Sequence, residues 1–173
     1  MKKIIAMVML VVMTAGTGIS HAAAQKGNVD SSAILKLVEK YKGEEGFETV
    51  TFGNLAVGFV KMIANATAQT PEDKAALDML SGIRKFVAVE YEDASASAKA
   101  SFDKEISALL AGAEKIVEVK DGGDSVDIYG TLSEDGDKIS DIIIHVPEES
   151  SVVCIFGAVD INDLGKVVRM EDE

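Results

Sequence analysis

The chain has 173 residues, a formal net charge of −12, 47% hydrophobic residues, one cysteine and two histidines. This length suits a single domain, and the apolar fraction is large enough for a core, which excludes wholesale disorder. A single cysteine excludes an intramolecular disulfide framework and a multi-cysteine zinc site. The acidic balance argues against nucleic acid as a partner, because phosphates are bound by Lys and Arg.

The first residues have the pattern of a secretory signal peptide. Lys2 and Lys3 precede a short apolar stretch at residues 4–12, and small residues follow. This order of a basic region, an apolar region and a small-residue cleavage zone predicts a signal peptide over residues 1–24. The small-x-small rule allows cleavage near Ala22 or near Ala24. The apolar stretch is shorter than the ~20 residues that a membrane span needs.

Export defines what remains of the chain. We expect a periplasmic or secreted mature protein, a single α+β domain over residues 25–173, with no membrane span. Loss of Lys2 and Lys3 leaves 15 basic residues against 29 acidic ones, a net charge of −14. One histidine, His145, and one cysteine, Cys154, remain.

Apolar residues at helical spacing predict five helices along this domain. Asp30, Ser31 and Ser32 are N-cap candidates for the first helix, and Thr70 with Pro71 marks the clearest helix start. The predicted helices are Asp30–Gly43, Leu55–Ala66, Thr70–Gly82, a helix from the bend at 93–97 to Ala113, and Asn162–Met170.

Alternating apolar residues between turn signals predict six strands. They are Phe47–Phe52, Ile83–Tyr91, Lys115–Lys120, Ser125–Leu132, Lys138–Val146 and Ser151–Val159. Alternation predicts that Glu48, Val50 and Phe52 lie on one face of the first strand and Phe47, Thr49 and Thr51 on the other. The last four are joined by short turns and should form an antiparallel meander, and the first two should join the same sheet. The predicted fold is therefore α+β, with a mixed, largely antiparallel sheet ending in a four-stranded meander and helices packed on one face.

The two residues suited to nucleophilic catalysis lack obvious partners. Asp141 on the same strand face lies about 13 Å from His145 at ~3.3 Å per residue, so the two side chains cannot form a hydrogen bond. We therefore expect His145 to be a half-exposed strand residue that faces solvent beside other polar groups. Cys154 lies in a dense apolar strand with no basic residue nearby in sequence, so we expect an inert core thiol. An odd cysteine in an exported protein leaves an intermolecular disulfide as the alternative.

Two acidic turns invite a calcium hypothesis. Asp121, Asp124 and Asp127 border one turn, and the segment Glu134–Asp137 forms the other. The spacing of Asp121, Asp124 and Asp127 is not the alternating EF-hand pattern, and Asp and Gly are expected in hairpin turns for conformational reasons alone. We favour turn formation over cation binding. No phosphate-binding or nucleophile-elbow motif is present, so we assign no catalytic, cofactor-binding or metal-binding residue.

One combination of segments resembles a known family. A helix leads into residues 41–46 and the strand at 47–52, a Leu- and Met-rich helical region follows, residues 80–86 enter the second strand, and an acidic meander closes the chain. The chain resembles domain of unknown function 4252, small exported proteins of the Bacteroidota, over roughly residues 30–168. The resemblance implies export and a compact α+β domain, and it supplies no functional residue.

Three functions remain open at this point. The leading hypothesis is a non-enzymatic binding or scaffolding domain with an envelope or secreted protein partner, which predicts an exposed apolar patch or a free sheet edge. A small carboxylate-based hydrolase predicts two carboxylates that converge in a cleft. A binder of a small apolar ligand predicts a cavity lined by residues such as Phe59, Met62 and Phe102.

Overall fold

The computed structural model describes residues 27–54, 82–121 and 124–161, and the account below concerns these residues. The elements in chain order are α1 (Ser31–Tyr41), β1 (Glu48–Phe52), β2 (Ile83–Glu90), α2 (Ala96–Leu110), β3 (Glu114–Asp121), β4 (Asp124–Leu132), β5 (Lys138–Val146), a 3-10 turn (Pro147–Glu149) and β6 (Ser151–Asp160). The predicted signal peptide, the helices Leu55–Ala66 and Thr70–Gly82, and the helix Asn162–Met170 lie outside the described residues.

Helix α1 begins and ends close to the predicted positions. Asp30 caps it, since its side chain accepts a hydrogen bond from the Ala33 amide at 3.0 Å. The buried side chains recur at helical spacing: Ile34, Leu37, Val38 and Tyr41. The helix ends at Tyr41, two residues before the predicted stop. There the Lys42 amide closes the last turn on the Val38 carbonyl, and Gly43 takes a φ of +95°.

Helix α2 follows the predicted bend. Ser95 caps it by accepting a hydrogen bond from the Ala98 amide at 3.3 Å. Phe102, Ile106 and Leu110 form its buried stripe, as their spacing predicts.

The six strands form one sheet in the order β1-β2-β6-β5-β4-β3. Strands β3 to β6 are neighbours in chain order, so the predicted meander is confirmed. Strand β2 pairs with β6, from Ile83 opposite Gly157 to Glu90 opposite Ser151, and β1 pairs with the far side of β2. The two early strands therefore join the same sheet as predicted, and all five described pairings are antiparallel.

Both faces of the sheet carry apolar clusters. The two described helices pack on one face, as the sequence predicts, over strand residues such as Val87, Val89, Ile143 and Val152. The opposite face carries a second buried cluster: Ala88, Ile128, Ile139, Ile142, Ile144, Val146, Val153 and Val159. Alternation along β2 and β6 divides each strand between these clusters. Among the helices within the described ranges, none is long and apolar enough to cross a membrane.

Candidate functional site

His145 is buried, so the prediction of a solvent-facing histidine is wrong. Its residue surface is only 3% exposed, and it lies on the face of the sheet that the helices cover. The strand residues around it are Asp127 of β4 and Val152 of β6, which lie directly opposite it. Asp103 of α2 approaches it from above the sheet.

A β-bulge in β5 explains part of this error. The pairing of β5 with β6 shifts between Ser140 and Ile142, and the residue between them, Asp141, has a φ of +54°. An extra residue in one strand reverses the face on which the following side chains lie. Ile139 and Ile142 consequently belong to the same apolar cluster, although strict alternation would separate them. The assumption that Asp141 and His145 share one strand face therefore fails.

Asp141 is a structural residue that joins three elements. Its Oδ2 accepts a hydrogen bond from Ser31 Oγ at 2.6 Å, and its Oδ1 accepts one from the Gly157 amide at 3.1 Å. The carboxylate thus ties the first turn of α1 to the bulge in β5 and to β6. Aspartate tolerates a positive φ better than most residues, which suits it to this position.

Two carboxylates lie near His145, Asp103 above the sheet and Asp127 on the neighbouring strand β4. Asp103 Oδ1 is 3.5 Å from His145 Nε2, which has no hydrogen-bond partner within the described structure. Tyr91, which is fully buried, donates its hydroxyl hydrogen to Asp103 Oδ1 at 2.5 Å. The Asp103 carboxylate is therefore already engaged as an acceptor by a tyrosine.

The second carboxylate, Asp127, is held by residues of β3 and β4. Lys115 Nζ lies 3.0 Å from Asp127 Oδ1, and Tyr129 donates its hydroxyl hydrogen to Oδ2 at 3.3 Å. Lys115 also lies 5.5 Å above the centre of the Tyr129 ring. These contacts make Asp127 part of a local network of side chains from β3 and β4.

Burial dominates the protonation of this cluster. It lowers the pKa of His145, and the charges of Asp103, Asp127 and Glu148 oppose that shift. Burial also raises the pKa of Tyr91 and of Tyr129, with further contributions from their aspartate neighbours. His145 is therefore neutral near pH 7. A general base must reach the proton that it abstracts, and a ring that is 3% exposed offers no such access in the described structure.

Cys154 is an inert core residue, as the sequence predicts. It is fully buried in β6 on the helix-covered face, and burial raises the pKa of its thiol to about 12. Thiol chemistry needs the thiolate and access, and this site provides neither.

The acidic turn after β4 is held by hydrogen bonds within the turn. In the turn after β4, Ser133 Oγ donates to Asp135 Oδ1 at 2.6 Å, and Gly136 takes a φ of +75°. That hydrogen bond lowers the pKa of Asp135. In the other turn, residues 122 and 123 lie outside the described residues, and Asp127 is paired with Lys115. Within the described ranges, no group of three or more His, Cys, Asp or Glu residues is arranged to hold a metal ion.

The described part of the hypothetical ligand cavity is filled. Phe102 is fully buried, with ring centroids of Tyr41, Phe47 and Tyr91 at 5.1, 5.5 and 4.8 Å. Such spacings are those of packed aromatic clusters. Phe59 and Met62, the other two residues predicted to line the cavity, lie outside the described residues.

The clearest surface feature is the outer edge of β1. No other described strand pairs with that edge, and Phe52 at its end is 46% exposed. Phe52 is the exposed large hydrophobic residue among those described, and its ring lies 6.1 Å from that of Phe86 on β2. Sequence reasoning predicted the strand and its two faces but not its place at the edge, because strand order depends on contacts between distant segments.

The two edges of the sheet differ in the features that protect them from pairing with another strand. Strand β3, at the other edge, contains Lys115, and its pairing with β4 is interrupted by a register shift. Lysines and bulges are common devices that prevent edge-to-edge association. Strand β1 contains no lysine, proline or glycine, and its five residues pair with β2 without a register shift. Its β-branched and aromatic residues favour further strand pairing.

Comparison with known proteins gives a family and no function. No curated protein and no solved structure matches the chain. One family model, described as "Domain of unknown function", matches residues 41–167, which include every described strand. The chain therefore belongs to the DUF4252 family.

Proposed function

We propose that this protein is an exported, non-enzymatic binding domain that takes an extended segment of an envelope or secreted protein partner onto the outer edge of β1. The observation that carries the proposal is the outer edge of β1, with which no other described strand pairs, together with the exposed Phe52 at its end. Addition of a strand to a sheet edge is a common mode of peptide recognition. In this mode main-chain hydrogen bonds provide affinity and alternate side chains provide specificity.

The position of β1 suits this mode. Its inner side is anchored to β2 by pairs from Glu48 opposite Glu90 to Phe52 opposite Phe86. The loop before it is fixed by Phe47, which is buried and stacks on Tyr91 at 5.7 Å. A strand held in place on one side presents a preorganised row of backbone donors and acceptors on the other, which reduces the entropic cost of binding.

Export is supported by the signal-peptide pattern over residues 1–24. A non-enzymatic role is supported by the described nucleophile and base candidates, Cys154 and His145, which are both buried. The hydrolase alternative requires two carboxylates free to act in a cleft. Asp103 and Asp127 do converge on His145, but each is engaged by tyrosine or lysine.

Photo-crosslinking in intact cells tests the proposed interface. The full-length chain is expressed in its native cells with p-benzoylphenylalanine at Phe52, where the probe retains an aromatic ring. We expect one dominant adduct, and mass spectrometry of it should locate the crosslink in an extended partner segment. The matched control carries the probe at Ser107, an exposed position on α2. Equal adducts from both positions, or none from Phe52, would contradict the proposal.

Export is tested on the same material. Cell fractionation should recover the protein outside the cytoplasm, and N-terminal sequencing should begin at Ala23 or Gln25. A cytoplasmic protein that retains Met1 would overturn the exported part of the proposal and leave the edge-strand part to the crosslinking result.

A further inference from the structure

We infer that the segment bound at β1 runs antiparallel to it and reads apolar-x-apolar-x-basic, with its Lys or Arg side chain opposite Glu48. This inference rests on the proposed function and specifies its partner. The direction follows from the greater stability of antiparallel pairing, which all described strand pairs of this sheet adopt. The order of residue types follows from the side chains along one face of β1 and from the charges around one end of that strand.

The alternation of β1 determines which positions of a bound strand matter. Glu48, Val50 and Phe52 lie on the face away from α1 and α2, where their neighbours on β2 are Glu90, Ala88 and Phe86. An added strand would place every second side chain on this same face. In the antiparallel direction its first such residue lies opposite Phe52, its second opposite Val50 and its third opposite Glu48.

The end of β1 that carries Glu48 is acidic. Glu48 is exposed, and its direct cross-strand neighbour is another glutamate, Glu90. A Lys or Arg on a bound strand would lie directly opposite Glu48, and opposite charges that face each other across two paired strands stabilise a sheet.

Two neighbouring loops add to the negative charge at this end. Glu44 and Glu45 lie in the loop before β1, and Asp93 lies in the turn after β2, all exposed. The loops touch at Gly46, where an added Cβ would lie only 2.3 Å from the Ala94 amide nitrogen. This close approach brings the acidic residues of both loops to the end of β1.

The other end of β1 is apolar. Phe52 and Phe86 lie side by side on the same face with their rings tilted by 44°. An aromatic or aliphatic residue opposite Phe52 would extend this pair into a row of three, and cross-strand aromatic contacts stabilise sheets. The edge is therefore apolar at one end and acidic at the other.

Overall charge opposes a second copy of this chain as the occupant. The formal net charge is −12, and antiparallel pairing of two β1 strands about Val50 would place each Glu48 opposite a Phe52 rather than a cation. A basic partner is favoured over self-association by both the local and the overall charge.

Titration of the ¹⁵N-labelled mature domain with synthetic peptides tests the inference. The first peptide, Ser-Phe-Thr-Val-Thr-Arg-Ser, has the inferred order. The second replaces Arg with Glu, and the third reverses the order of Phe and Arg to suit parallel pairing. Amide shifts at residues 48–52 report binding at the edge. We expect the first peptide to bind about five-fold more tightly than either control, because an exposed ion pair changes an equilibrium only a few-fold and the Glu peptide adds repulsion.

Variants of the domain assign the preference to particular residues. Glu48→Gln should remove most of the preference for Arg over Glu, whereas Glu134→Gln, an equal change of charge in the exposed β4–β5 turn, should leave it intact. Phe52→Ser should weaken the first peptide about three-fold and retain the Arg preference. The folded spectrum of each variant is the control for structural damage.

The outcomes separate this inference from the proposed function. Equal binding of the Arg and Glu peptides at β1, or tighter binding of the reversed peptide, would overturn the inferred pattern while edge binding stands. A crosslinked partner segment that lacks a basic residue opposite Glu48 would do the same. No shift at residues 48–52 with any peptide, together with no adduct from Phe52, would overturn both.

Discussion

Replacement of Asp141 by alanine should destabilise the domain by about 4 kcal/mol. The substitution removes the hydrogen bonds from Ser31 Oγ and from the Gly157 amide, each to a carboxylate and each worth about 1.5 kcal/mol in a partly buried site. It also places alanine at a φ of +54°, which costs about 1 kcal/mol more. Urea unfolding of the mature domain, analysed by linear extrapolation, measures the difference in the free energy of unfolding.

Two further variants separate the contributions. Asp141→Asn keeps a side chain that tolerates a positive φ and retains an acceptor for Gly157, so we expect a loss of only about 1 kcal/mol. Ser31→Ala should cost about 1.5 kcal/mol in the native background and almost nothing in the Asp141→Ala background. A loss below about 1 kcal/mol for Asp141→Ala, or strictly additive losses in the double variant, would refute the role given to this bulge.

Three other predictions concern buried groups and glycines. Burial lowers the pKa of His145 in the folded state below its unfolded-state value of about 6.5. Above pH 6.5 the ring is neutral in both states, and the free energy of unfolding falls as the pH drops from that value towards the folded-state pKa. Urea titrations at pH 7.5 and 5 should show this loss, and His145→Gln should reduce it; an unchanged loss would assign it to other groups. Cys154 should resist a thiol reagent in the native state and react once urea unfolds the domain, whereas rapid native labelling would contradict its burial. Gly46→Ala should cost several-fold more stability than Gly43→Ala (about 1 kcal/mol), since both have positive φ but only Gly46 lacks room for a Cβ beside Ala94; equal losses would refute the close approach.

Local signals predicted the described helices and strands well. The Asp30 and Ser95 caps and the Gly136 turn act over a few residues, so the described helix starts and the β4–β5 turn lie close to where the sequence places them. Alternation along β1 also assigned Phe47 and Phe52 to opposite faces correctly. Such features depend on neighbours in the chain, which a sequence shows directly.

The surroundings of His145 could not be predicted in the same way. The bulge at Asp141 has no strong local signature, because aspartate at a positive φ is stabilised here by Ser31 and Gly157 from distant segments. The approach of Asp103 depends on how α2 lies over the sheet. The polar residues on one face of β5 therefore predicted that His145 faces solvent, whereas in the structure helix α2 lies over it.

The position of β1 at the edge is equally non-local. The sequence of the segment Glu48–Phe52 would fit a central strand as well as an edge strand. Its outer side is an edge because, among the described strands, β1 pairs with β2 alone. The sequence does show that this strand has no lysine or proline, which often protect edge strands. This feature becomes informative once the strand order is known.

Amide hydrogen exchange along residues 48–52 tests the central claim most directly. In an edge strand, alternate amides point towards β2 and outwards, so the free domain should show slow and fast exchange at alternating positions. Addition of the apolar-x-apolar-x-basic peptide should slow the fast set and leave the slow set unchanged. Uniformly slow exchange in the free domain would show that the edge is already paired, and binding without new protection would show that the partner does not extend the sheet; either result would contradict the account.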